Sequence, residues 1–377
     1  MTRRPPANPP MVDIDVIIPV HSVSRPLRRA VDSVLSGGLP GVKALVICHN
    51  LSREEIIEAS GLTPSADLEF HEFRDSIRSP AGPRNHGISV SRASYIAFLD
   101  SDDLFDADAL RLWADEAGAH GHPDLLVGQV HSEQARFFST PCPRVGRRTG
   151  LRPHRDLLND RTAPQGVLVR RQLLRPPASP RFDSQVPIGE DLVIGLYLWN
   201  AARSVVYSRF RAGYQLKADA DDRLTSARYP LSTTLYPVRN LLEQDWPYAL
   251  DAKSRGALAK KLIRFELMGL SLGFAREKRL GRGELAQISV VLRMIEDFYP
   301  AASLSLPLWE SRFVKYVRDE DHDGLLGMLN IRSKWARIVQ GLLPGNLLGV
   351  CAPEQGYIRA FRTVVGGRLL RGSRGMP

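Results

Sequence analysis

The stretch from Tyr95 to Asp103 reads YIAFLDSDD, an apolar run that ends in three carboxylates within four positions. Unpaired charges are costly in a protein core, so we expect these carboxylates at the open end of a buried strand, next to water or a cation. Carboxylates this close together suit a hard divalent ion, Mg²⁺ or Mn²⁺. The alternative interpretation is an acidic turn that caps the following helix, since Asp is a favoured N-cap residue.

The chain around this stretch alternates between strand and helix patterns. Apolar runs predict strands at 15–20, 42–48, 68–73 and 95–99, and helical spacing predicts helices at 26–35, 52–59 and 83–91. Strands that alternate with short helices indicate an α/β fold, with a mostly parallel sheet covered by helices on both faces. Ligands of such sheets bind beyond the carboxyl ends of the strands, which is where the acidic cluster is expected.

The pattern divides the chain into three parts. Residues 1–12 hold four prolines and lack the apolar segment of a signal peptide, so we expect a disordered tail. The α/β pattern occupies residues 13–230, and residues 231–377 show long helical periodicity, which predicts a mainly helical C-terminal region. No run approaches the roughly 18 apolar residues that span a bilayer.

The formal net charge of +10 is concentrated at the C-terminus, where residues 331–377 hold eight Lys or Arg and one acid. Apolar residues, among them Trp335, Ile338 and Leu342, are interleaved with the basic ones. A basic amphipathic helix can bind an anionic membrane surface. The alternative is a helix packed on the rest of the chain or on a second copy in a homo-oligomer. Few aromatic residues and no recognisable nucleic-acid-binding module argue against nucleic acid as a partner.

The three cysteines (Cys48, Cys142 and Cys351) are far apart in the sequence. This spacing predicts neither a zinc site nor a disulfide framework. We therefore expect a cytoplasmic protein, with peripheral attachment to the inner face of the membrane as a further hypothesis.

Four segments in order resemble the family 2 glycosyltransferases with the GT-A fold, which move a sugar from a nucleotide diphosphate donor with inversion. They are IIPVH at 17–21 with AVDSVL at 30–35, GPRNHGI at 82–88, FLDSDD at 98–103, and FD at 182–183 followed by GED at 189–191. Each motif alone is weak, but four in this order are specific. The resemblance covers roughly residues 13–225.

The resemblance implies roles for the acidic cluster. Asp102 and Asp103 are the expected metal ligands, with Asp103 also supporting the loop, and Asp100 is expected nearer the ribose or the donor sugar. A divalent ion held there can bridge the two phosphates of the leaving group.

On the nucleotide side, Pro19, Val20 and His21 end the first strand where the family holds the base, and His21 can stack on it. Arg84 offers a forked donor to phosphate or to the uracil edge. The alternatives are a polar loop histidine and a helix-surface arginine.

The acceptor side resembles the family at Asp191, which corresponds to the base that removes a hydroxyl proton. Glu190 is expected to orient neighbouring groups. The alternative for Asp191 is an N-cap of the helix that starts at Leu192, and both interpretations can hold together.

The sequence departs from the family after the second strand, where an acidic DDGS is usual and CHNLS stands at 48–52. His49 or Asn50 can still bond uracil, and Asp75, at the end of the third strand region, can compensate for the missing acid.

The resulting prediction is an inverting, Mg²⁺- or Mn²⁺-dependent glycosyltransferase. It would move sugar from a nucleotide diphosphate, with UDP favoured, to a hydroxyl of a cell-envelope polymer, a lipid-linked intermediate or a surface glycan. The alternative is a catalytically degenerate nucleotide-sugar or glycan-binding protein with the same fold. A nucleotidyltransferase would need a glycine-rich loop near the first strand, and residues 19–30 contain no glycine.

Overall fold

A computed structural model describes residues 12–132, 143–176, 179–217, 227–330, 341–343, 345, 357–358 and 361–362. The chain separates into two compact units. The first comprises 1–140, 148–151 and 162–227, and the second comprises 141–147, 152–161 and 228–377. The second unit is therefore discontinuous in sequence.

The regular elements of the described chain are strands and helices as far as Leu216, and helices alone from Leu231 onward. The strands are β1 Ile14–Val20, β2 Val42–His49, β3 Leu68–Phe73, β4 Tyr95–Phe98, β5 Leu104–Phe105, β6 Leu125–Val127, β7 Gln129–Ser132, β8 Val167–Arg170, β9 Val205–Tyr207 and β10 Gly213–Leu216. The helices are α1 Leu27–Leu35, α2 Arg53–Ser60, α3 Ala81–Val90, α4 Ala109–Ala119, α5 Pro153–Asp156, α6 Leu192–Ala201, α7 Leu231–Glu243, α8 Ala252–Lys261, α9 Met268–Arg276, α10 Arg282–Phe298, α11 Leu308–Arg318 and α12 His322–Leu329.

The first unit is built on a seven-stranded sheet in the order β3-β2-β1-β4-β8-β6-β9. The four predicted strands form its parallel half, in which β1 lies between β2 and β4. β8 is antiparallel to both β4 and β6. The predicted α/β fold is confirmed: every residue of β1 and β4 is buried, as a central strand covered on both faces requires.

The three predicted helices form within two residues of their expected starts. Ser52 and Glu55 make a capping box at the start of α2, in which Ser52 N donates to Glu55 Oε2 and Glu55 N donates to Ser52 Oγ. Helix α3 packs against β1 at Gly87, where a larger side chain would collide with Ile17. This close approach brings the start of α3 to the sheet edge that carries the acidic cluster.

A second sheet of three strands, in the order β5-β10-β7, follows the acidic cluster. β10 pairs antiparallel with β5 and parallel with β7. Its Tyr214 is fully buried and meets Phe105 edge-to-face at 5.6 Å. This sheet holds the chain that leaves Asp103.

The second unit is helical, as predicted for the C-terminal region. α8 continues through a π-helical segment, Leu262–Leu267, into α9. Within that segment Arg264 makes a buried two-point ion pair with Glu310 of α11, at 2.6 and 2.8 Å. In the part of the chain that the structure describes, no helix combines the length and apolar character needed to cross a bilayer. Most of the predicted amphipathic helix lies outside the described residues.

Candidate active site at the carboxyl ends of the strands

A pocket of about 840 Å³ opens at the carboxyl ends of β1, β2 and β4. Its lining includes all but one of the predicted site residues: Pro19, Val20, His21, His49, Asn50, Arg84, Asp100, Asp102, Asp103, Glu190 and Asp191. The exception, Asp75, contacts the pocket through His49. The sheet thus brings together residues that are up to 172 positions apart in the sequence, from Pro19 to Asp191.

The acidic turn begins directly after β4. The amide of Leu99 donates to Ile17 O at 3.0 Å, and Asp103 N donates to Asp100 O at 3.0 Å, which closes the turn. The three carboxylates differ in access to the pocket: the side chain of Asp100 is 31% exposed and that of Asp102 is 8% exposed, while Asp103 is buried. Of the three carboxylates in the turn, that of Asp100 is therefore the most exposed to the pocket.

Asp103 supports the loop, one of its two expected roles. Its two carboxylate oxygens accept from the Tyr214 hydroxyl and from Lys217 N, both at 2.7 Å. Burial, with the Asp100 carboxylate nearby, raises the pKa of Asp103 to about 7. Because both oxygens accept hydrogen bonds, from β10 and from the residue that follows it, the geometry does not favour Asp103 as a metal ligand.

Asp102, the expected metal ligand, lies at the pocket and forms an ion pair with a cation. Its Oδ2 lies 2.7 Å from Arg25 Nη1, and Arg29 donates to its backbone oxygen. Among the described residues no group of three or more His, Cys, Asp or Glu side chains is arranged to hold a metal. Mg²⁺ is commonly bound through one or two carboxylates together with substrate phosphates and water. One carboxylate is enough for that pattern, and an ion bound by Asp102 would take the place of the Arg25 guanidinium.

Arg84 has partners other than the expected phosphate or base. One terminal nitrogen lies 2.8 Å from Asp100 Oδ1 and the other 2.8 Å from Glu190 Oε1. Burial disfavours its charged form, but the carboxylates of Asp100 and Glu190 raise the pKa of Arg84 above its ordinary value. The guanidinium therefore connects the acidic turn to the segment that precedes α6.

That segment ends at Asp191, the predicted base. Asp191 occupies the N-cap position of α6, but its side chain accepts no capping hydrogen bond from the helix. The side-chain N-cap alternative is therefore not seen, although the residue lies at the positive end of the helix, which favours an ionised carboxylate. Gly195 allows this helix to approach Thr162, since a methyl group there would collide with the Thr162 carbonyl.

The altered CHNLS segment lines another side of the pocket through His49 and Asn50. His49 Nε2 lies 2.7 Å from Asp75 Oδ1. Asn50, with φ of 60°, accepts through Oδ1 from Asp75 N and Ser76 N at 3.1 Å. Burial alone would raise the pKa of Asp75, but hydrogen bonds from His49 and Ile77 N lower it. His49, Asn50 and Asp75 thus form one connected group.

The end of β1 supplies another wall of the pocket. Pro19 and Val20 pair with Ile47 and Cys48 of β2, and His21 follows them as an exposed residue.

Two pocket residues that contact the acidic turn, Arg25 and Gln165, were not predicted from the sequence. Gln165, just before β8, donates to Asp100 Oδ2 at 3.1 Å, and its Oε1 is buried without a partner. No sequence signal marks it, because its position depends on β8 lying beside β4. Arg25 could have been suspected, since it is a cation in the loop after β1 and faces the same sheet edge as the acidic turn.

Comparison with known proteins agrees with this geometry. Residues 15–174 match the model of glycosyl transferase family 2. This region is a family 2 glycosyltransferase domain with the GT-A fold.

Relatives of the family 2 domain align over part of their length. The poly(ribitol-phosphate) β-N-acetylglucosaminyltransferase TarP of Staphylococcus aureus is 29% identical over 131 residues, covering 33% of this chain and 38% of that protein. The succinoglycan biosynthesis protein ExoO of Rhizobium meliloti is 30% identical over 139 residues, covering 36% and 39%. An uncharacterised glycosyltransferase of Rickettsia bellii is 36% identical over 99 residues, which cover 26% of this chain and 14% of that protein. The chain thus covers well under two thirds of each relative.

The crystal structure of S. aureus TarS 1–349 in complex with UDP-GlcNAc superposes with a TM-score of 0.68. The match covers 84% of this chain and 90% of that one, at 17% sequence identity. At this identity the likeness shows the shared fold.

Proposed function

We propose that this protein transfers a sugar from a nucleotide diphosphate donor, with UDP favoured, to a hydroxyl group of a cell-envelope glycan or lipid-linked acceptor, with inversion. The observation that carries the proposal is that Asp100, Asp102 and Asp191 line the same pocket. Its volume of about 840 Å³ is within the usual range for small-molecule sites.

In this mechanism the donor lies along the carboxyl ends of the parallel strands. The nucleobase of the donor would lie beside His49 and Asn50, and its diphosphate near Asp102 and Arg25. Mg²⁺ or Mn²⁺, held by Asp102, would neutralise charge on the departing diphosphate. Asp100, the most exposed of the three carboxylates, would face the ribose or the donor sugar.

Asp191 would act on the acceptor side. Its carboxylate would take the proton of the acceptor hydroxyl as that oxygen attacks the anomeric carbon from the face opposite the nucleotide. A base at a helix N-terminus stays ionised near neutral pH because the helix dipole stabilises negative charge. Glu190, paired with Arg84, would hold this end of the pocket in place.

The names of similar proteins support the donor and acceptor classes. TarS was crystallised with UDP-GlcNAc and with UDP. TarP is named for poly(ribitol phosphate), and ExoO for succinoglycan biosynthesis. These names favour a UDP-sugar donor and a cell-envelope polymer or surface glycan as acceptor for this chain.

The second candidate is the degenerate binding protein, because two residues predicted to bind the metal or the nucleobase contact protein side chains instead. Asp102, the predicted metal ligand, pairs with Arg25, and His49, the predicted nucleobase contact, pairs with Asp75. A thermal-shift screen of nucleotide sugars with Mn²⁺, followed by donor hydrolysis, separates the two candidates. We expect one UDP-sugar to stabilise the protein and to be slowly hydrolysed. Stabilisation without hydrolysis or transfer would favour the binding protein.

A further inference from the structure

Two neighbouring residues at the start of α3 hold the segment that carries the predicted base. Asn85 Nδ2 donates to Phe182 O at 2.8 Å, and Phe182 N donates to Asn85 Oδ1 at 3.0 Å. One amide side chain thus satisfies both backbone groups of Phe182, as a strand partner would. Phe182 is fully buried and packs edge-to-face on Phe98 of β4 at 5.3 Å.

The chain from Asp183 to Glu190 returns to this anchored point. Asp183 N donates to Glu190 O at 3.1 Å, which closes the segment into a loop at its base. Asp191 follows immediately. The position of Asp191 therefore depends on the point at which Phe182 is anchored.

Arg84 ties the other end of the loop to the acidic turn. Its terminal nitrogens bind Asp100 and Glu190, each at 2.8 Å, and its guanidinium carbon lies 5.4 Å from the centre of the Phe182 ring. Only 3% of Arg84 is exposed. A guanidinium can hold two carboxylates in fixed geometry because its donors form a rigid planar fork.

We propose that Arg84 and Asn85 are positioning residues, which fix the base-bearing segment 182–191 relative to the donor-side carboxylate Asp100. The inference rests on the proposed function for what the two groups do, but the coupling itself is a property of the fold. It replaces the expected role of Arg84 as a direct ligand of phosphate or uracil. A misplacement of about 1 Å at a reacting group can cost on the order of 10²-fold in rate, so this coupling would matter to turnover.

The test compares Asn85→Ala, Arg84→Met and Arg84→Lys with Ser89→Ala, an exposed change on the same helix whose hydroxyl donates only to His86 O in α3 itself. Hydrogen exchange of the amides in 182–191 should speed up in Asn85→Ala and Arg84→Met. Exchange in β1 and β2 should stay unchanged, and Ser89→Ala should match the wild type throughout. Calorimetry should find unchanged affinity for UDP in every variant.

Steady-state kinetics add a second readout. Turnover should fall on the order of 10²-fold in Arg84→Met with little change in the donor KM, and Arg84→Lys should recover part of it. If Arg84→Met fails to fold, Asn85→Ala carries the test, since Asn85 is only partly buried. Unchanged exchange of 182–191 in Asn85→Ala would overturn the proposal. Loss of UDP affinity in Arg84→Met or Arg84→Lys, with normal hydrogen exchange of 182–191, would mean that Arg84 binds the nucleotide directly and would overturn its positioning role. If no sugar transfer is found even in the wild type, the proposed function fails, while exchange and UDP affinity still decide the coupling.

Discussion

Asp191 is the residue on which the acceptor half of the proposed chemistry depends. Substitution by Asn keeps its shape but removes its ability to accept a proton. We expect Asp191→Asn to bind UDP normally and to lose on the order of 10²-fold or more in turnover, the usual scale of general-base catalysis. Transfer assays together with calorimetry check this. Weakened UDP binding with normal turnover would assign Asp191 a structural role.

Substitutions at His49 and Asp75 test how the protein recognises the nucleobase of the donor. Because Asp75 contacts His49 at 2.7 Å, we expect it to act on the nucleotide through that ring. His49→Ala should weaken UDP binding by about 1 kcal/mol, the size of one neutral hydrogen bond. Asp75→Asn should weaken it as well, and the double variant should weaken it no further than His49→Ala alone.

Calorimetric titration of UDP into the three proteins measures this coupling. Additive losses would mean that Asp75 contacts the nucleotide independently of His49. Unchanged affinity in all three would place base recognition outside the CHNLS segment.

At the scale of elements, the start of α6 is held close to its neighbour by a glycine. A methyl group at Gly195 would collide with the Thr162 backbone, which cannot rotate away as a side chain could. We expect Gly195→Ala to displace the first turn of α6, to cost about 1–3 kcal/mol of stability and to lower turnover, because the turn follows Asp191.

Gly118→Ala in α4 is the matched control, because its added methyl group meets open space. It should leave stability unchanged or raise it by up to about 1 kcal/mol. Urea unfolding and transfer assays compare the two. Equal behaviour of both variants would show that α6 tolerates the displacement.

The parallel half of the sheet could be predicted from sequence because its strands are short apolar runs separated by helices with local signals. The span of β3 agrees with the prediction at both ends, and the capping box of α2 is a purely local pattern. The antiparallel pairing of β4 with β8 has no local signal, since it joins segments about 70 residues apart. Gln165 was missed for that reason.

The site shows the same division between local and distant information. The resemblance identified the acidic turn and the GED segment, and the fold brings them to one pocket. It did not identify which carboxylates pair with cations. The partners of Arg84 lie 16 and 106 positions away, and such distances are set by the tertiary structure.

At the scale of the whole molecule, removal of the basic C-terminal segment, residues 331–377, tests whether the protein attaches to a membrane surface. If residues 331–377 bind an anionic surface, removing them should release the protein from anionic vesicles and spare activity on a small soluble acceptor. Binding of the full chain should fall as salt rises, because salt screens surface charge. Vesicle sedimentation at low and high salt measures both effects.

The packing alternative makes different predictions for the same truncation. A helix packed on the protein or on a second copy would leave the truncated chain insoluble or inactive. A full-length chain that ignores anionic vesicles at low salt would contradict the membrane hypothesis.

In the proposed function, the pocket at the carboxyl ends of the strands breaks the bond between a sugar and its nucleotide diphosphate with the help of a metal ion held by Asp102. The most direct measurement is UDP release from the UDP-sugar that best stabilises the protein, with Mn²⁺ present, for the wild type and for Asp102→Ala. We expect release by the wild type, its loss when EDTA removes the metal, and its loss in a variant that remains folded. Equal release by Asp102→Ala, or full release in EDTA, would contradict the account.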